Sequence, residues 1–131
     1  MNVVLVPIDG SPAAYRALSL ALKELGGAAD STLHLLNVQP PADAGADASP
    51  HARGAAMLAQ AQDMALGAHR RVVPHVRTGR AEDEILACAQ ELGCDFVFMG
   101  TRGLGAAAAA TLGSVALEVA RRSRIPVTLV R

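Results

Sequence analysis

The sequence predicts an α/β fold: a three-layer doubly wound sandwich with a five-stranded parallel sheet and about four helices. Three observations predict it. Strand-like and helix-like segments alternate along all 131 residues. The strand-like segments are short apolar runs without clean period-two alternation, as expected of strands buried on both faces. Right-handed crossovers through the intervening helices then place helices on both sides of the sheet. The length suits a single domain, residues 1–131, and a hydrophobic fraction of 51% excludes a disordered chain.

Each element has a local reason. Val3–Ile8 is a β-branched run that reads as the first strand. Asp9-Gly10-Ser11-Pro12 marks a turn into a helix, with Ser11 as N-cap and Pro12 at the first helical position. Ala13–Leu25 follows, with Ala14, Leu18, Ala21, Leu22 and Leu25 on one stripe, and Gly26-Gly27 closes it. Ser31–Val38 is the second strand, and Gln39–Ser49 is a Pro-, Ala-, Asp- and Gly-rich loop. Pro50–Leu66 is an alanine-dominated helix. Arg71–Arg77 is the third strand, placed at a sheet edge by Pro74. After a turn at Thr78-Gly79-Arg80, Ala81–Leu92 is the clearest helix, with Glu82, Asp83 and Glu84 near its positive end. Arg80 and these acids read as a solvated face. Asp95–Met99 is the fourth strand. Ser114–Ser123 is the last helix, with Arg121, Arg122 and Arg124 at its negative end, and Pro126–Val130 is the fifth strand.

Composition removes several function classes. Twelve Lys and Arg balance twelve Asp and Glu, so the chain lacks the basic excess of a general nucleic-acid binder. Aromatic residues make up 2%, too few for a base-stacking surface. No run approaches the roughly 20 apolar residues of a membrane span. The start, Met1-Asn2-Val3-Val4-Leu5-Val6-Pro7, has no basic n-region and is not expected to be a signal peptide. Cys88 and Cys94 form neither a metal pattern nor a redox CxxC, and two reduced thiols fit a cytoplasmic protein. The histidines His34, His51, His69 and His75 show no ligand spacing.

In a sheet of this kind, ligands bind at the carboxyl ends of the strands near the reversal of strand order. One loop there is rich in glycine: Gly100-Thr101-Arg102-Gly103-Leu104-Gly105, five alanines, then Thr111-Leu112-Gly113-Ser114. Glycines let a backbone approach a phosphate and expose its N–H groups. Gly113-Ser114 opens a helix, whose N-terminus favours anions, and Arg102 is the loop's cation. The same glycines also serve as ordinary turn and cap residues, with Ser114 as the cap. The GxxxxGK[ST] phosphate loop is absent. Gly103-Leu104-Gly105 starts a GxGxx[GA] match, but after the wrong strand for a dinucleotide fold. Asp9 ends the first strand beside this loop, where a carboxylate can accept ribose hydroxyls, hold a metal or simply shape its turn.

The spacing Gly100-x2-Gly103-x9-Gly113-Ser114 resembles the nucleotide-binding motif of the universal stress protein family, in its ATP-binding branch. VLVPIDGS at Val4–Ser11, LLNV at Leu35–Val38, the stretch Gly79–Gly103 and RRSRIPVTLVR at Arg121–Arg131 are similar to other parts of the family pattern. The resemblance implies a Rossmann-like adenine-nucleotide fold. Pro7, Asp9 and Val38 would line the adenine and ribose pocket, and Met99 and Gly100 would back the ribose. Arg102, Gly103, Gly113, Ser114 and Val115 would hold the phosphates. ATP is the implied ligand, with AMP or ADP possible and Mg or Mn optional between the phosphates and Asp9. Ala106–Ala110 fill a stretch that is often basic or bulky in relatives, which leaves phosphate attraction to backbone N–H groups, Ser114 and Arg102.

The function expected is a cytoplasmic, nucleotide-dependent stress-response module. The alternative is a nucleotide hydrolase or adenylyl-transfer enzyme of the same fold. One strand-end acid, no lysine and no evident base argue for turnover that is slow at most. A phospho-acceptor role for Asp9 would need further acids beside it and a lysine before the last strand, where Asn2, Gly10 and Arg124 stand instead. With strand order 3-2-1-4-5 the last strand lies at an edge, and a homodimer paired through Pro126–Val130 is expected, as the resemblance also implies. The stress, the protein partner and the nucleotide preference are not legible.

Overall fold

The computed structural model describes residues 2–26, 30–42, 48–69, 71–102 and 112–131. Among the described residues nine elements alternate: β1 (Val3–Pro7), α1 (Pro12–Leu25), β2 (Thr32–Gln39), α2 (Pro50–Ala68), β3 (Val72–Thr78), α3 (Ala81–Glu91), β4 (Phe96–Gly100), α4 (Ser114–Arg122) and β5 (Val127–Val130). The sheet order is β3-β2-β1-β4-β5, and every pairing is parallel. The predicted doubly wound fold and strand order are therefore observed. Strand order reverses between β1 and β4, which opens a crevice at their carboxyl ends.

Two apolar layers flank the sheet. On one face α1 and α2 cover Val4, Val6, Leu33, Leu35 and Phe98 with Leu18, Ala21, Leu58 and Ala61. On the other, α3 and α4 cover Leu5, Leu36, Val97 and Met99 with Ile85, Ala89, Ala116 and Val119. Both β1 faces are filled, which is why its sequence shows no alternation.

Local signals act as expected at several termini. Ser11 Oγ accepts the Ala14 N–H at 3.2 Å, with Pro12 opening α1, and Gly26 ends that helix at a positive φ of 55°. Pro74 lies on the outer strand β3. The Leu33 N–H donates to Arg71 O, so strand alternation turns the edge of Pro74 away from β2, where a missing N–H breaks no rung. Other boundaries shift by one or two residues. Ser31 precedes β2, with its side chain bonded to His69. Asp95 precedes β4, and its carboxylate accepts the Asn2 and Val3 N–H groups, each at 3.0 Å. The second helix runs to Ala68, past the predicted Leu66: Gly67 stays helical and His69 is the C-cap, its N–H donated to Ala65 O. The acids of α3 are not merely a solvated face. Glu84 pairs with Arg77 at 2.7 Å, Asp83 with Arg122 at 2.9 Å and Glu82 with Arg80 at 2.9 Å.

Candidate functional site

A cleft of about 530 Å³ opens at the carboxyl ends of the strands, within the size range of small-molecule sites. Of the residues singled out in the sequence, Pro7, Asp9, Val38, Met99, Gly100, Arg102, Gly113, Ser114 and Val115 all line it. Gly103 and the Ala106–Ala110 stretch lie outside the described residues.

The turn after β1 forms one wall. The strand ends at Pro7, two residues before Asp9, so Asp9 stands in the turn and not in the strand. Its Oδ1 accepts the Ser11 N–H at 2.9 Å, and Gly10 takes a φ of 86° that L side chains avoid. Asp9 remains exposed and lines the cleft.

The opposite wall is the start of α4. Gly113, not Ser114, is its N-cap, and Ser114 is exposed as the first helical residue. The Gly113 N–H is already donated to Thr101 O at 2.7 Å. The N–H groups of Ser114, Val115 and Ala116 come next. They precede the first intrahelical bond, made by Leu117 N–H to Gly113 O at 2.9 Å. The donors offered to an anion are thus those of the first helical turn, reinforced by the helix dipole and the Ser114 hydroxyl.

Two glycines owe their identity to packing. A Cβ on Gly100 would sit 2.8 Å from Ala13 Cβ and 2.9 Å from its carbonyl carbon, so β4 and α1 could not approach as they do. A Cβ on Gly113 would sit 2.9 Å from Thr101 O. Between the walls the floor is apolar, from Leu36, Ile85 and Ala116 as well as Val38 and Met99. Sequence reasoning missed Leu36, Ile85 and Ala116 because each also reads as helix or strand core. Among the described lining residues, Asp9 is the one carboxylate and Arg102 the one guanidinium.

Other titratable groups lie elsewhere. His34 Nδ1 and His75 Nε2 share a hydrogen bond of 2.8 Å across β2 and β3, which sequence spacing could not reveal. His69 Nε2 contacts Ser31 Oγ and O at 3.1 and 2.9 Å, and His51 is exposed on α2. Cys88 and Cys94 are buried free thiols. Among the described residues no group of three His, Cys, Asp or Glu side chains is placed to hold a metal, and no helix is long and apolar enough to cross a membrane.

The fold and cleft define a class: open parallel α/β domains with a ligand crevice at the topological switch point. The family model "Universal stress protein family" matches residues 1–131, and the chain belongs to that family. It is 41% identical over 61 residues to universal stress protein G of Shigella flexneri, a stretch covering 47% of this chain. The chain thus spans 42% of the length of that curated relative. Among solved structures, a universal stress protein in complex with cAMP is 29% identical over 99% of this chain and 96% of the other, with a TM-score of 0.78. A universal stress protein from Archaeoglobus fulgidus in complex with dAMP has the same fold, with a TM-score of 0.78 at 20% identity, covering 100% of this chain and 98% of that one.

Proposed function

We propose that the chain binds an adenine nucleotide in this cleft and acts as a cytoplasmic, nucleotide-dependent stress-response module. One observation carries the reading: the first-turn N–H groups of α4, the Ser114 hydroxyl and Arg102 face the exposed Asp9 across an apolar floor. Helix-terminal donors suit phosphates, a carboxylate suits ribose hydroxyls, and Val38, Leu36 and Met99 suit a planar base. The residues fit the ligand, since a cleft of about 530 Å³ brings anion-binding donors, a carboxylate and an apolar floor around one space. Relatives described in complex with cAMP and dAMP support the adenine class. ATP is the preferred candidate, with AMP or ADP as alternatives; Mg or Mn is optional with the nucleotide, and Asp9 is the residue that would help to hold it. Two buried free thiols suit a reducing compartment.

Hydrolysis in this reading is slow. Phosphoryl transfer draws on metal-holding acids and several cations, and the described cleft supplies one of each. Calorimetry with ATP, ADP, AMP and cAMP, with and without Mg, tests the proposal. Saturable binding of at least one supports it, and heats indistinguishable from dilution for all four refute it. Steady-state turnover above about 1 s⁻¹ that is lost in Asp9→Ala would favour the hydrolase or adenylyl-transfer reading instead.

A further inference from the structure

We propose that Asn37 is a positioning residue for the cleft: from the opposite face of the sheet, its carboxamide fixes the turn that presents Asp9. The inference rests on the nucleotide reading for its functional meaning and on the hydrogen bonds below for its geometry.

Leu36 and Val38 line the cleft. Alternation along β2 therefore turns Asn37 to the other face, among the side chains of α1 and α2. It is 2% exposed there, beside an apolar layer that includes Val6, Ile8, Leu35 and Phe98. A carboxamide buried in such a layer is costly unless every polar atom is matched, so packing alone would favour a hydrocarbon. The matching is specific. Asn37 Nδ2 donates to Ile8 O at 2.7 Å and approaches Met57 Sδ at 3.1 Å. Its Oδ1 accepts Gln39 Nε2 at 2.7 Å, Gln39 Oε1 accepts Arg53 Nε at 3.3 Å, and Arg53 NH1 donates to Ala48 O at 2.6 Å.

Ile8 is the last residue held before the turn. Its N–H donates to Leu36 O at 2.7 Å, and its carbonyl is the group that Asn37 takes. Asp9 follows directly. The backbone entering the Asp9 turn is therefore fixed by β2 on both sides of one residue. The α2 helix closes over this arrangement through Gly54, where a Cβ would lie 3.0 Å from Asn37 Oδ1. The chain Arg53–Gln39–Asn37–Ile8 thus ties α2 to the wall of the cleft, which it reaches at Ile8.

Asn37→Asp keeps the shape and the acceptor for Gln39 but sets a carboxylate oxygen against Ile8 O. Asn37→Ser withdraws the donor without adding charge and serves where the aspartate chain does not fold. Leu58→Ala is the control, since it opens a cavity in the same layer and leaves the polar chain intact. In the nucleotide-free full chain, amide exchange of Ser11, whose N–H bonds Asp9, should accelerate about tenfold beyond the average of α1 in either Asn37 variant. In Leu58→Ala it should move only with that average. The ratio of AMP to 2′,3′-dideoxyAMP affinity should fall toward unity in the Asn37 variants and hold in Leu58→Ala. Uniform exchange in the Asn37 variants, or an unchanged affinity ratio, overturns the proposal. Wild-type protein that binds neither nucleotide sinks the nucleotide reading alone, and the exchange comparison still decides the positioning role.

Discussion

At the scale of single residues, Gly113 shows how a glycine can matter for a reason other than backbone freedom. Its φ is −64°, which any residue adopts, so strain does not explain it. What a side chain meets there is Thr101 O, 2.9 Å from the Cβ position, across the bond that joins the two ends of the loop. Gly113→Val should therefore push α4 away from Thr101 and misalign the first-turn donors. Nucleotide affinity should fall by at least about tenfold, ~1.4 kcal/mol, in a chain whose circular dichroism is unchanged. Equal affinity in calorimetry would place the phosphates elsewhere. That Gly100, Gly113 and Asp9 lie around one cleft was legible in the sequence, because a doubly wound sheet brings the loops after its first and fourth strands together. The division of labour among amides was not, since the Gly113 N–H is spent on Thr101 O, twelve residues back, a pairing that no local pattern announces. The thiols give a second expectation. Burial, then the neighbouring Cys88 and Asp95, push the Cys94 thiol up to about 11, and burial raises Cys88 as well. Thiolate is the reactive form, so at pH 8 both should react with iodoacetamide far more slowly in folded than in urea-unfolded protein. Equal rates would contradict the buried placement.

At the scale of elements, the strands and helices were readable because each has a local cause: a cap at Ser11, a β-branched run at Val3–Ile8, an apolar stripe on α3. What joins elements was less readable. His34 and His75 are 41 residues apart and meet only because β2 and β3 pair in parallel register. Burial lowers both pKa values. The charge of His75 adds to it for His34, and that of Arg77 for His75. The unfolded chain therefore binds these protons more readily than the folded one, and stability rises with pH. The contribution is complete above the unfolded value near 6.5 and is lost as pH falls below it toward the depressed folded values. Urea midpoints should drop between pH 7.5 and 5.5, and His75→Gln should flatten that dependence. A steeper profile in the variant would contradict the pairing. The α2–β3 contact has its own sensitive point. An alanine Cβ at Gly54 would meet Val76, with Cγ2 at 2.9 Å, so Gly54→Ala should destabilise by about 1–3 kcal/mol in urea unfolding despite its better helix propensity.

At the scale of the whole molecule, the two edges of the sheet are unlike. On β3, Pro74 and the Arg77 ion pairs with Glu84 and Glu91 blunt the strand. On β5 the residues are Val127, Thr128, Leu129 and Val130, with no charge until Arg131. That edge invites a second copy, antiparallel about a two-fold axis, and we expect a homodimer through it. Register decides which residue tests the idea. Val97 N–H donates to Pro126 O and Thr101 N–H to Val130 O, so Pro126, Thr128 and Val130 turn their polar groups toward β4. Val127 and Leu129 turn theirs outward. Thr128→Pro would strike the molecule's own ladder and lower its thermal midpoint. Leu129→Pro would remove a donor on the free side and leave the β4 ladder whole, while also trimming the Leu129 packing against the α3–α4 layer. Sedimentation should find the wild type dimeric at tens of micromolar and Leu129→Pro monomeric, with nucleotide affinity retained because the cleft lies at the strand ends and not along this edge. A wild type that sediments as a monomer, or a Leu129→Pro chain that stays dimeric, would rule out pairing through β5.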